Sequence, residues 1–563
     1  MECREMIISE DYADFIMEIF SERGESKNKS QNDCTIYPGI DYAFIYKSIN
    51  SIIGTGLSSY SYEEIPKLYG LMDTNAVEST GALKLQNIPG LELNGSEIIV
   101  AIIDNGIDAY HEAFRFSNGN TRILSIWNQE DQSLDTPKYF QYGSEIRQDK
   151  INEELKKSES VFLKNLALES EHGTFVAGIA AGNNNVEIGF SSPAPMAQIV
   201  VIKLKRAKLY LKDYYFLKDN AVAYQENDII NAVVYANRIS DEYKKPMIIC
   251  IPLGTNQGSH GGLSVIGDFL NNYASRTGIG IVCAIGNEGN SRHHYKGKIN
   301  KKDDFDDAQL RVGANVKGLT IELWGESPDL FEIEIISPTG ERIKRVRSSI
   351  GQEEIYKLLF EKTVIYIKYE LVERKTGQEL IMIRLDQPTE GVWTFRVFGE
   401  LIVSGSFNIW IPITEFIGEE TYFLKPEPFI TLTNPSDTYI PITVGAYSNT
   451  TEALYINSGR GYPTDMTVKP TFAAPGVNVL GPAPNNNYVR LSGTSVAAGM
   501  TAGVMAQFME WGIIKGNKVN LNTIEIKNYL IRGAERKSSL SYPNREWGFG
   551  TLDVYNSIDI LRT

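Results

Sequence analysis

Residues 97–108 read EIIVAIIDNGID. Apolar residues run without a break from Ile98 to Ile103 and stop at an acid, Asp104. An unbroken run of this length suits a strand buried on both faces, as in a parallel sheet, whereas a half-solvated strand would alternate. Three more runs of the same kind follow: AQIVVIKL (197–204), PMIICIPLG (246–254) and GIGIVCAIGN (278–287). Between them, GTFVAGIAAG (173–182) and NDIINAVVYANRI (227–239) carry helix-like patterns, and this alternation predicts an α/β core with a parallel sheet flanked by helices. The rhythm ends near residue 310. Period-two strands then appear in LTIELW, FEIEII, VIYIKYE, LIMIRL, VWTFRV and FNIWI, which predicts an inserted antiparallel β-sandwich of jelly-roll type. The core resumes at YIPITVGAYS (439–448) and closes with a helix from Ser495 through about Met509. Ahead of the core, residues 1–86 read as a separate small unit of α+β type. The expected division is therefore 1–86, a first core part 87–309, the insert 310–415 and a second core part 416–563.

Composition narrows the function. With 42 % apolar and 22 % charged residues, the 563-residue chain has ordinary globular usage. Its formal net charge of −15 argues against nucleic acid or an anionic membrane as partner and favours a protein or a small polar ligand. The four cysteines, Cys3, Cys34, Cys250 and Cys283, are too scattered for a disulfide framework or a zinc site, so a reducing compartment is the simpler expectation. No signal peptide is visible at the N-terminus and no apolar run reaches the length of a membrane span, so the expected location is intracellular, without membrane insertion.

Three segments each place one polar residue at the end of a buried element. Asp104 follows a strand in VAIIDNGID, His172 opens a helix in EHGTFVAGIAAG, and Ser495 opens another in LSGTSVAAGMTAG. A serine hydroxyl is a weak nucleophile until an imidazole takes its proton, and the imidazole needs a carboxylate to fix its tautomer. Asp104 would orient, His172 would shuttle the proton and Ser495 would attack. In AIGNEGN, the Asn287 amide would donate to the developing oxyanion beside the Ser495 backbone N–H. Taken singly these motifs are weak, since Gly-Thr-Ser is also an ordinary helix start.

Together, in the order Asp, His, Ser, they resemble the subtilisin-like serine proteases, and KPTFAAPGVNV (469–479) resembles that family's segment before the serine. Across nearly the whole chain the similarity is to the clostridial Csp germination proteases: an N-terminal prosegment, an interrupted core, and IPLGTNQGSHGG (251–262) leading towards GNEGN. That resemblance implies a spore-associated serine endopeptidase, made as a zymogen, that removes the propeptide of a cortex-lytic peptidoglycan hydrolase. It implies no cofactor and no metal. Leu253 and Gly254 match the family's substrate-binding strand, where Pro252 removes one backbone N–H. By similarity to Csp prosegments, self-cleavage is expected at or near Gln86–Asn87, within DTNAVESTGALKLQNIPGLELNG (73–95). Two other readings stay open here: a general intracellular subtilase, and an inert scaffold or sensor on the same fold.

The remaining signals read as structural. His111 resembles a structural histidine of the family, and adjacent His293 and His294 would point apart in an extended chain, which argues against a shared metal. The basic run IKLKRAKLYLK (202–212) is expected to be a solvated strand exit. Trp324, Trp393 and Trp410 are expected in the core of the insert, a carbohydrate-binding face being the alternative.

Overall fold

The computed structural model describes residues 3–19, 34–39, 42–52, 56–71, 78–157, 160–347 and 353–562. Strand Ile99–Asp104 lies near the middle of an eight-stranded sheet, between Met247–Ile251 and Gln198–Lys203. Seven of the strands run parallel and the edge strand Ser144–Arg147 runs antiparallel to Ile123–Asn128. All six residues of Ile99–Asp104 are buried, as the unbroken apolar run requires.

The alternation of side chains divides those residues between two cores. Val100 and Ile102 face one layer with Val176, Ala180, Ala498 and Ala502, contributed by helices Glu171–Ala181 and Thr494–Met509. Ile99, Ala101 and Ile103 face the other with Ile229, Val233 and Phe269, from helices Glu226–Tyr243 and Val265–Ala274. Helix Thr494–Met509 is buried along its whole length, as a helix apolar on every side must be. It packs backbone-close on Glu171–Ala181, because a Cβ on Gly503 would run into the Ala180 carbonyl oxygen.

The N-terminal unit is a three-stranded antiparallel sheet with Tyr42–Ser48 between Tyr12–Glu18 and Cys34–Gly39. Its apolar face, with Ile16, Phe44 and Tyr46, joins the core layer of Ile229 and Val233. Contrary to the expectation of unpaired cysteines, Cys3 and Cys34 form a disulfide, with Cα atoms 5.2 Å apart. Cys250 and Cys283 are free and buried, and burial pushes the Cys283 thiol up to about 12.

The basic run 202–212 is solvated only in part: Arg206 is exposed, but Lys203, Lys205 and Lys208 are buried. Lys208 forms a buried ion pair with Asp14 of the N-terminal unit, and Asp14 also accepts from Gln225 Nε2 (3.0 Å) and Asn227 Nδ2 (3.2 Å). Lys205 pairs with buried Asp228 at 2.9 Å. These lysines are withdrawn from water because they lie under the N-terminal unit, a long-range contact that local charge density does not reveal.

The inserted strands form a six-stranded and a five-stranded antiparallel sheet. They begin at His294 and end at Phe423, wider than the expected 310–415, because His294–Lys298 pairs with Ser406–Trp410 and Tyr422–Phe423 pairs with Phe305–Val312. Trp324, Trp393 and Trp410 are buried, with 2 % or less of each exposed, so they are core residues and not a binding face. No helix among the described residues is long and apolar enough to cross a membrane.

Candidate active site

Asp104 ends its strand at the carboxyl edge of the sheet, and His172 is the second residue of helix Glu171–Ala181. Their approach is built into the backbone. A Cβ on Gly173 would collide with the Gly106 carbonyl oxygen, so only glycine lets the helix start settle on the turn after Asp104. His172 Nδ1 lies 2.9 and 2.8 Å from the two Asp104 carboxylate oxygens. A carboxylate can only accept, so Nδ1 carries the proton and Nε2 presents the lone pair that a general base requires. Asp104 is fully buried and accepts a further bond from Asn105 N at 2.7 Å.

Ser495 is the second residue of the buried helix Thr494–Met509. Asn287, on the loop after strand Ile279–Ala284, reaches the same helix start: its Oδ1 accepts from Thr494 N and from Thr494 Oγ1, each at 3.1 Å. Thr494 Oγ1 in turn accepts from Gly286 N at 3.2 Å. With its oxygen held by the residue preceding Ser495, the Asn287 amide keeps its Nδ2 donor for a substrate oxygen, the arrangement an oxyanion hole needs.

Leu253 and Gly254 form a short strand that pairs antiparallel with Leu71 and Gly70. On its other edge, strand Leu68–Leu71 pairs with Tyr224–Gln225, so residues of the N-terminal unit lie as a central strand between two edges of the core. Leu68 N donates to Gln257 Oε1 (2.9 Å), and the buried Tyr69 hydroxyl donates to Asn434 Oδ1 (2.8 Å). Burial holds that hydroxyl well above its ordinary range. This is strand addition, the mode by which an extended peptide is held through its main chain. Leu253 and Gly254, expected from the sequence to bind substrate, are paired here with the chain's own Leu71 and Gly70; the parts taken by Leu68–Leu71, Tyr224 and Asn434 were not expected, alternation in KLYGL being the one local signal.

Gln86 and Asn87 are not brought to this site. They end helix Ala82–Asn87, and Gln86 Nε2 donates to the carbonyls of Ser192 (2.8 Å) and Pro193 (3.0 Å). Gln507 donates to the carbonyl of Ala82 at 3.0 Å, and twelve residues of helix, about 18 Å at 1.5 Å per residue, separate Gln507 from Ser495.

The other histidines are placed apart from the triad. His111 Nδ1 accepts from Ala113 N at 3.1 Å, and His260 and His294 both stack on the Trp410 ring, with centroids 4.1 and 4.6 Å from it. His293 bonds to Glu288 at 2.6 Å. Among the described residues, no group of three or more His, Cys, Asp or Glu gathers in a metal-holding arrangement.

Asp104 paired with His172 at the carboxyl edge of a parallel sheet, and Asn287 bonded at the start of the helix that carries Ser495, are the elements on which a subtilisin-like serine peptidase is built. The chain belongs to the subtilase family, whose model matches residues 95–315 and 424–550; the unmatched stretch between them holds most of the sandwich. The structure is similar to that of the CspB protease of Clostridium perfringens, with a TM-score of 0.76 and 30 % identity, covering 86 % of this chain and 98 % of that one. In sequence it is similar to the C5a peptidase of Streptococcus pyogenes serotype M6, 24 % identical over 455 residues, 73 % of this chain and 34 % of that protein. A shorter match is to the subtilisin-like protease SBT6.1 of Arabidopsis thaliana, 33 % identical over 140 residues, 24 % of this chain and 13 % of that protein. The chain thus spans about a third of the length of the C5a peptidases it matches.

Proposed function

We propose that this chain is a serine endopeptidase made as a zymogen, in which residues 1–71 act as a prodomain that presents its own backbone to the catalytic groove. The observation that carries the reading is the pairing of Leu68–Leu71 with Leu253–Gly254 and Tyr224–Gln225. In the proposed reaction His172 takes the Ser495 hydroxyl proton, Ser495 Oγ attacks the scissile carbonyl, and the oxyanion is held by Asn287 Nδ2 and the Ser495 N–H. The imidazolium, stabilised by Asp104, then protonates the leaving amine, and water repeats the sequence on the acyl-enzyme.

The groove strand ends at Leu71, and the proposed cut follows it in sequence, between residues 71 and 78, upstream of the Gln86–Asn87 position expected from the family. Two contacts support retention of the prodomain after cutting. One is the buried Asp14–Lys208 pair; the other is a set of bonds to the insert, from Tyr62 OH to Glu322 (2.8 Å), Tyr62 N to Glu370 (2.9 Å) and Lys368 Nζ to the Tyr60 carbonyl (2.6 Å).

By similarity to the CspB protease, the proposed protein substrate is the precursor of a cortex-lytic peptidoglycan hydrolase, cleaved in the spore during germination. Intact mass of the wild-type chain beside Ser495→Ala tests self-processing: the wild type is expected to split between residues 71 and 78 and the variant to stay whole. Incubation with a cortex-lytic precursor and with casein tests the substrate. Release of the precursor's propeptide with casein untouched supports the reading, and digestion of casein alone replaces it with general protein turnover.

A further inference from the structure

The strand that fills the groove also seats a side chain. Tyr69, the second residue of Leu68–Leu71, is fully buried, and its ring joins the apolar layer that holds Leu253. The one polar atom of that side chain, its hydroxyl, donates to Asn434 Oδ1 at 2.8 Å. The ring fills its recess: about 10 Å³ stays open among Tyr69, Gln257, Glu226 and Asn434. The hydroxyl keeps its proton, because burial, and after it the nearby acidic groups Glu226, Asp437 and Glu63, hold it well above its ordinary range.

Asn434 is fixed at the groove by its own backbone. Its N–H donates to the Thr255 carbonyl and its carbonyl accepts from Thr255 N, both at 2.9 Å, and Thr255 directly follows the groove strand Leu253–Gly254. The residue before it, Thr433, donates its N–H to the carbonyl of Ile285 at 2.9 Å, two residues ahead of Asn287. Asn434 itself is 3 % exposed, so its amide oxygen stands at a set point against the Tyr69 ring end. Gln257 is used differently: its Oε1 accepts from the main-chain N–H of Leu68 at 2.9 Å. Main-chain bonds and strand pairing hold any extended peptide alike, whereas the bond to Asn434 depends on the side chain. A phenylalanine in the same recess would fill it and bury the Asn434 oxygen without this donor, and an acid there would bring a carboxylate up to an acceptor and to Glu226 and Asp437.

We propose that Asn434 is a specificity-determining residue of the groove, selecting substrates that carry a tyrosine at the place Tyr69 holds in the chain's own strand, three or more residues before the cut. The assignment rests on the reading of Leu68–Leu71 as a substrate-like strand and names the side chain that the groove prefers.

The test is internal competition on the full chain. Peptides carrying residues 66–79 that differ only at position 69 (Tyr, Phe or 4-aminophenylalanine) are mixed in pairs, and product ratios are read by mass spectrometry. Occupancy of the groove by the chain's own strand cancels in each ratio. Tyr is expected to be cut about tenfold faster than Phe, since a site built to bond a hydroxyl is left with an unpaired buried acceptor when the hydroxyl is missing. Asn434→Leu, close in volume and without an acceptor, is expected to bring that ratio within about twofold of one, with Asn434→Ala as a second variant. A merely structural role for Asn434 would slow both peptides and leave the ratio as it was. Should neither variant cut, the wild type decides: 4-aminophenylalanine keeps an N–H donor where the hydroxyl was and is expected ahead of Phe, and a tie overturns the inference. Equal cutting of Tyr and Phe by the wild type overturns it, as does a preference for Tyr that survives in an Asn434 variant. Failure of the wild type to cut any peptide while Ser495 labels with a fluorophosphonate overturns it too. If Ser495 does not label, the peptidase reading itself falls, and this one with it.

Discussion

Strands Ile99–Asp104 in the core and Glu379–Asp386 in the sandwich are alike in two respects: both are buried along nearly their whole length and both end on an aspartate. Asp104 meets a histidine; Asp386 lies in register between Gly318 and Val364. The difference follows from strand direction. Parallel strands deliver all their carboxyl ends to one edge, where the following helices start, so polar residues from distant parts of the chain converge there. Antiparallel strands alternate their ends between two edges and gather nothing. The sandwich instead uses its charged residues in ion pairs between neighbouring strands and loops, such as Arg396 with Asp307 at 2.7 Å, Arg384 with Glu353 at 2.7 Å, and Arg345 with Asp303, Glu332 and Glu400.

The comparison predicts that substitutions in the core remove activity and those in the sandwich remove stability. The largest effect is expected for His172→Ala or Ser495→Ala, with kcat for peptide cleavage falling by about 10⁴–10⁶-fold and the melting temperature little changed. A sandwich residue that, when altered, abolished fluorophosphonate labelling of a folded chain would break the division.

Next is Trp393→Ala, which empties the most buried part of the sandwich and is expected to cost about 3–5 kcal/mol there. Hydrogen exchange should rise in Leu330–Ile336 and Gly391–Leu401, while labelling at Ser495 persists.

The pH dependence of the sandwich sharpens the contrast further. Burial raises the Glu379 carboxyl to about 8, although Phe331 N donates to it at 2.7 Å. The folded state therefore holds a proton that the unfolded chain releases above its ordinary value near 4.5. This contribution to stability is complete below that value and is lost as pH rises through about 8, up to about 4 kcal/mol between pH 5 and pH 9. Glu379→Gln should flatten the profile of exchange in Glu379–Asp386; an unchanged slope would remove Glu379 as the cause.

Asn287→Ala is expected to lower kcat by about 10²–10³-fold, with KM nearly unchanged, because in the proposed mechanism its donor acts on the oxyanion. The smallest effect in this series is Gly503→Ala. Crowding against the Ala180 carbonyl should destabilise the core by about 1–3 kcal/mol and lower activity by displacing Ser495 relative to His172.

The parts legible in the sequence are those set by nearest neighbours along the chain. Unbroken runs such as Ile98–Ile103 mark doubly buried strands, the alternation of VWTFRV marks a sandwich strand, and Asp104, His172, Asn287 and Ser495 each stand at the end of such an element. Contacts between distant segments left no comparable signal. Cys3 and Cys34 are 31 residues apart, and Lys208 meets Asp14 across 194. The sandwich begins at His294 because a five-residue strand there finds its partner at Ser406–Trp410.

The sequence by itself determined the class of fold, and it marked Asp104, His172, Asn287 and Ser495 as the candidates for acid, base, amide donor and nucleophile, because periodicity and element ends are local properties. Only the tertiary structure decided that Leu68–Leu71 pairs with Leu253–Gly254 and Tyr224–Gln225, that Gln86 is bonded to the Ser192 and Pro193 carbonyls, and that His293 Nε2 is buried without a hydrogen-bond partner among the described residues. Those outcomes depend on strand pairing and burial across hundreds of residues, where many local patterns are equally compatible and packing selects one.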